Sequence, residues 1–166
     1  MSATNLTIAD IALRLGLALL CGGIIGLNRD LHHKRAGLRT FGLVALGTAG
    51  MTLGMLGGSA GDMANVSRVV QGILTGIGFL GAGVILHRPK SGRTTGLTTA
   101  AAIWFTAGLA VLCGLGELVL AIVLFGAAFA LLLVGRRIEE IAERRFGAAA
   151  PPATRGEPAD TDAEQD

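Results

Sequence analysis

Charge is what this sequence has least of. Only 16% of its 166 residues are Asp, Glu, Lys or Arg, against about 25% in an ordinary soluble domain. The charges that exist are confined to a few short stretches, so the composition excludes a water-soluble globule. Cysteine is scarcer still: Cys21 and Cys113 fall in separate apolar segments. Their spacing suggests neither a metal site nor a disulfide framework, and they read as small buried apolar residues. The start, MSATNLTIAD, lacks a basic region, and no small-residue cleavage site follows the apolar run. It is expected to be a retained first helix rather than a removed signal peptide.

Chemistry of the enzymatic kind is also missing. No nucleophile, base and orienting group fall into a catalytic pattern, and no glycine-rich phosphate loop lies between a strand and a helix. No enzyme, cofactor or nucleic-acid partner is expected. His32, His33 and His87 share one side of the chain's loops. No cysteine or carboxylate cluster completes a ligand set with them, so they read as solvated loop residues rather than metal ligands.

What the chain does have is apolar length and glycine: 51% hydrophobic residues and 26 glycines. Five apolar segments run over Ile8–Leu27, Leu38–Leu56, Val66–Leu86, Gly96–Cys113 and Leu118–Gly135. Each approaches the roughly 20 residues that cross a bilayer core about 30 Å thick. The basic residues Arg29, Lys34, Arg35 and Arg39, then Arg88, Lys90 and Arg93, then Arg136, Arg137, Arg144 and Arg145 fall in alternate connections. The opposite side offers only Arg68, beside Asp62 and Glu117. The positive-inside rule then puts the amino terminus outside and the carboxyl terminus in the cytoplasm, which requires an odd number of spans.

The expected fold is an all-α polytopic bundle of five transmembrane helices, residues 8–135, in a lipid bilayer. Residues 1–7 form a short outer arm, and 136–147 a cytoplasmic amphipathic extension in which Arg136, Glu140 and Arg144 sit one turn apart. Residues 148–166, Ala/Pro-rich and then acidic, cannot bury a core and are expected to be disordered.

Within the third segment, GILTGIGFLGAGVIL places Gly72, Gly76, Gly78, Gly81 and Gly83 on several helix faces. Glycine permits close helix approach in lipid, so this segment is expected to be the central post. Gly22 and Gly26 on the first helix and Gly50 and Gly54 on the second are further packing positions.

Polar residues inside the segments are few enough to weigh singly. Asp10 and Arg14 lie one helical turn apart. They read either as a salt bridge near the outer surface or as a seam facing the interior, completed by Gln71 or Thr75. Arg39 sits in the first turn of the second helix, where the dipole disfavours a cation, and Asp30 or a phosphate would offset it. Two helix amino termini with Arg29, Arg39 and Arg93 nearby, and Thr94, Thr95, Thr98 and Thr99 opening the fourth helix, outline an anion or lipid-headgroup site. Ordinary lipid-facing loop charge accounts for the same residues.

Three blocks taken together, GGIIGLNRDLHHKRAGLRT, GIGFLGAGVIL and GLTTAAAIWFTAGLAVLCGLG, resemble the MgtC/SapB family of bacterial inner-membrane proteins from about Arg14 to Val134. The matching positions are Gly26, Arg29, Ala36, Gly37, Leu38, Arg39 and Thr40, then Gly76, Gly78, Phe79, Gly81 and Gly83, then Gly96, Leu97, Thr98, Thr99, Ala100 and Trp104. Asn28 stands where the family commonly has Glu, and Thr95 where a basic residue usually precedes the GLTTAA block. Some relatives carry a soluble domain after the last helix, for which the residues after Gly135 are too few. The resemblance implies a multi-pass inner-membrane protein, tied in some members to magnesium limitation and to virulence.

Three functions stay open from this reading. The first is a regulatory protein that binds other membrane proteins or itself through small-residue faces. The second is a transporter of Mg²⁺ or another ion, for which only Asp10 supplies a carboxylate within an apolar segment. The third is a sensor of a phosphate-bearing lipid or metabolite at the cytoplasmic loops.

Overall fold

A computed structural model describes residues 6–57, 63–88 and 93–146. The first five residues of the expected outer arm, Asp62, Lys90 and the expected disordered tail lie outside the described residues. Five helices follow in order: α1 (Ile8–Leu31), α2 (Leu38–Gly57), α3 (Met63–Val84), α4 (Leu97–Leu115) and α5 (Leu118–Phe146). Between α3 and α4, β1 (Leu86–Arg88) pairs antiparallel with β2 (Arg93–Thr95), Leu86 opposite Thr95 and Arg88 opposite Arg93. This small ladder is an addition to the expected all-α architecture; three-residue strands carry too little alternation to be read from a sequence.

Among the described residues, four helices are long and apolar enough to cross a membrane: α1, α3, α4 and Leu118–Gly135 of α5. α2 is similar in length, at 20 residues.

Local chemistry sets the helix ends. Thr7 and Asp10 form a capping box at the start of α1: the Thr7 hydroxyl accepts from the Asp10 N–H at 3.2 Å, and the Asp10 carboxylate accepts from the Thr7 N–H at 3.2 Å and from its hydroxyl at 2.6 Å. α1 then runs to Leu31, one turn beyond the expected end at Leu27, so Asn28, Arg29 and Asp30 are helical rather than loop residues. The α1–α2 connection is closed by Asp30, whose Oδ2 accepts the Leu38 N–H at 2.8 Å. α4 is bounded by Gly96 and Gly116, both left-handed at φ 96° and 89°. Glycine adopts that conformation without the strain a Cβ would bring.

The described residues fall into two compact units, one ending at Phe129 and the other beginning at Ala130. In the first, the core is built from small side chains: Ala18 and Cys21 of α1, Ala45 and Ala49 of α2, Ala110 and Cys113 of α4, and Ala121 of α5. Leu109 supplies bulk, and Phe125 stacks on Phe129 with ring centroids 5.6 Å apart. In the second unit, the described part is the last portion of α5, on which Ile138 and Ile141 are exposed. The side chains expected to pair there, Arg136, Glu140 and Arg144, lie outside the described residues.

Glycine packing follows expectation at only one helix pair. A Cβ on Gly22 would stand 2.8 Å from the Ala45 Cβ, and one on Gly26 would stand 2.7 Å from the Leu38 Cα. Neither position accepts any side chain without the backbone moving. Gly114 of α4 is equally tight, 2.7 Å from the Thr52 Cβ.

The expected central post is corrected. Over their most apolar stretches 56% of α4 is buried but only 17% of α3, and α4, like α2, packs against three other helices. Gly72, Gly76, Gly78 and Gly83 meet nothing within 4 Å, nor do Gly50 and Gly54, and Gly81 only touches the Ala100 Cβ at 3.6 Å. Glycine permits close approach but does not say which helix approaches. Alanine on α4 serves the centre of the bundle instead.

Candidate functional site

The polar chemistry of the bundle gathers at the two ends of α4, and α1 supplies an arginine to each. At the carboxyl end, Arg14 Nη1 donates to the Gly114 carbonyl at 2.9 Å. Its guanidinium carbon lies 2.9 Å from where a Cβ on Gly116 would be. A cation there matches the negative end of the helix dipole and satisfies a carbonyl that has no intrahelical partner. The expected Asp10–Arg14 salt bridge is corrected accordingly: the Asp10 carboxylate bonds Thr7, and Arg14 reaches across to α4. The interior seam with Gln71 and Thr75 does not form either. Both residues are exposed, and the Thr75 hydroxyl donates to its own helix at the Gln71 carbonyl, 2.8 Å away.

At the amino end of α4 stands Arg29, expected as a loop charge and in fact 94% buried, with 6% of its surface exposed. Its Nη2 donates to the Thr99 hydroxyl at 2.6 Å. Its Nε is buried with no hydrogen-bond partner. Thr99 is itself buried, at the third residue of α4, whose amino-terminal glycine provides no side-chain cap.

The remaining expected site residues divide around this contact. Asp30 is occupied at the amino terminus of α2, and a Cβ on Gly37 would collide with its carboxylate. Asp30 is thus the anion that offsets the positive end of α2. Arg39 is exposed and lines an open groove of about 660 Å³ on α1 and α2, with Leu19, Leu20, Ile24, Leu27 and Leu43. Thr40 and Thr98 are exposed in the first turns of α2 and α4. Arg93 begins β2, opposite Arg88. The carbonyl of Asn28 accepts from or faces His32 Nδ1 at 2.6 Å, and His33 follows at a positive φ of 52°. Both cysteines are buried apolar core, as expected.

Four residues went unnoticed in the sequence: Thr7, Gly114, Gly116 and Thr106, whose buried hydroxyl has no partner. The T-x-x-D spacing before an apolar run was a readable signal for Thr7. The others depend on neighbours far along the chain.

An alanine-rich bundle of long apolar helices, with an arginine clamp from the first to the fourth, defines a helical membrane protein. The chain belongs to the MgtC family, whose profile matches residues 15–141. Protein SrpB of Synechococcus elongatus is 44% identical over 144 residues, covering 80% of this chain and 78% of SrpB. Protein MgtC of Salmonella paratyphi A is 39% identical over 143 residues, covering 81% of this chain and 60% of that protein. Protein MgtC of Brucella abortus is 43% identical over 109 residues, covering 66% and 44%. The chain therefore spans less than two thirds of the MgtC proteins it matches. No solved structure matches it.

Proposed function

We propose that this protein is a multi-pass inner-membrane regulator that acts by docking other membrane proteins, or further copies of itself, through α3. The observation that carries the reading is the uncovered small-residue face of α3. Gly72, Gly76 and Gly83, near one face of the helix, have open space above them, beside Phe79 and Leu80 at 83% and 50% exposure. In lipid such a face gains little from hydrophobicity, and its use is backbone-close packing against another helix. The same reading takes all five helices as spans, with the Arg29 end of α1 in the cytoplasm.

Ion transport has less to stand on. Among the described residues no three acids, histidines or cysteines converge on a metal-sized site, and the Asp10 carboxylate is engaged by Thr7.

The test uses substitutions that the monomer tolerates. Gly76→Leu and Gly83→Leu enter open space, so membrane insertion and melting should be unchanged while crosslinked partners or oligomers from native membranes are lost. Parent protein that is strictly monomeric and partnerless after crosslinking would overturn the proposal. So would liposomes of the protein alone that take up Mg²⁺ and lose uptake on Asp10→Ala.

A further inference from the structure

A buried guanidinium needs a counter-charge, and Arg29 has none among the described residues. Arginine cannot escape the difficulty by losing a proton. Among the described residues no carboxylate closes on it: Asp30 bonds the Leu38 N–H, and Asp10 and Glu117 stand at the opposite ends of α1 and α4. Among the described residues it bonds the neutral Thr99 hydroxyl, and its Nε is left without a partner.

The neighbourhood adds positive potential instead of relieving it. Thr99 lies in the first turn of α4, the end where backbone N–H groups are free and the dipole is positive. Its N-cap residue, Gly96, has no side chain with which to cap that end. A cation has therefore been buried against Thr99 at the positive end of a helix, an arrangement that desolvation penalises unless an anion joins it. We propose that the junction of Arg29 with the first turn of α4 binds an oxyanion of the phosphate class.

The donor set fits that chemistry. A guanidinium presents its N–H groups as a planar fork that matches phosphate oxygens. The Thr99 hydroxyl accepts from Arg29, and a hydroxyl that accepts can also donate. The first-turn N–H groups of α4 complete a cradle of the kind that holds anions at helix amino termini. This site lies on α1 and α4 and does not depend on the docking face of α3. An inorganic phosphate and the phosphodiester of a lipid headgroup share the chemistry, and they are separated by experiment.

The full chain in a zwitterionic detergent is melted in two titrations at constant ionic strength, one with inorganic phosphate and one with phosphatidylglycerol doped into the micelles. A saturable rise in Tm is expected in at least one, and the arm that responds identifies the source. Arg29→Gln should abolish the rise, and Thr99→Val should weaken apparent binding at least about tenfold. Arg39→Gln, in the outer groove, should retain it. If Arg29→Gln does not fold, Thr99→Val decides alone: weakened binding supports the site, and parental binding overturns it. A parent indifferent to both additions overturns the proposal, as does an Arg39→Gln variant that loses the response as fully as the Arg29 variant.

Discussion

The two ends of α4 are held by the same helix and the same residue type, yet they are not alike. At the carboxyl end Arg14 meets a carbonyl and the negative end of the dipole, with an acceptor in the protein for the charge it brings. At the amino end Arg29 meets a hydroxyl and the positive end, and one of its nitrogens is left unbonded. The first arginine is a helix cap supplied from a neighbouring helix. The second is a charge placed where the fold alone does not use it fully. Similar residues at the ends of one antiparallel helix pair can thus be structural on one side and ligand-seeking on the other, and the dipole decides which.

The comparison can be broken most forcefully at the glycines that bound α4. Gly96→Ala should cost about 3 kcal/mol or more, since a left-handed alanine is strained by about 1–2 kcal/mol and its methyl would meet the Val84 carbonyl, which is backbone and cannot swing away. Gly116→Ala should cost only about 1–2 kcal/mol, because its methyl meets the flexible end of Arg14 at 2.9 Å. Unfolding in mixed micelles measures both, and equal losses would show that the two ends are equally rigid.

The arginines themselves come next. Arg14→Gln should lower stability by about 1–2 kcal/mol, a charge-assisted bond discounted for partial exposure. Without an added oxyanion Arg29→Gln should cost less than half of that, because the lost bond to Thr99 is offset by removal of a buried unpaired charge. Should Arg29→Gln prove the more damaging in phosphate-free detergent, the protein already satisfies that guanidinium and the contrast fails. The smallest effects belong to the threonines. Thr99→Val should cost about 1 kcal/mol through its bond to Arg29, whereas Thr98→Val, exposed one residue earlier, should stay within about 0.5 kcal/mol.

Much of the bundle was legible from apolar length and glycine. The helices fall where the apolar segments lie, and Cys21 and Cys113 are core residues, because both properties follow from the composition of a local stretch. Asp10 and Arg14 misled for a local reason too. Their one-turn spacing is that of an ion pair, but Thr7 offers the same carboxylate a capping box with less chain to order, and Arg14 is drawn to a carbonyl 100 residues away. The T-x-x-D pattern was there to be weighed against the pair. Nothing comparable announced Gly114 or Thr106, whose neighbours come from other helices.

The central post shows the limit more sharply. Five glycines in α3 say that its backbone can be approached, and four of them are left bare. α4, with fewer glycines, is far more enclosed than α3, with α1, α2 and α3 packed on it.

By itself the sequence determined that this chain is a set of apolar helices and where each starts, since hydropathy, capping and turn residues act over a few positions. Which helix is enclosed, and which of two arginines is left without a counter-charge, was decided only when residues 14 and 114, and 29 and 99, came together. Burial and pairing are properties of a neighbourhood, and in this bundle the neighbours are supplied by helices distant along the chain.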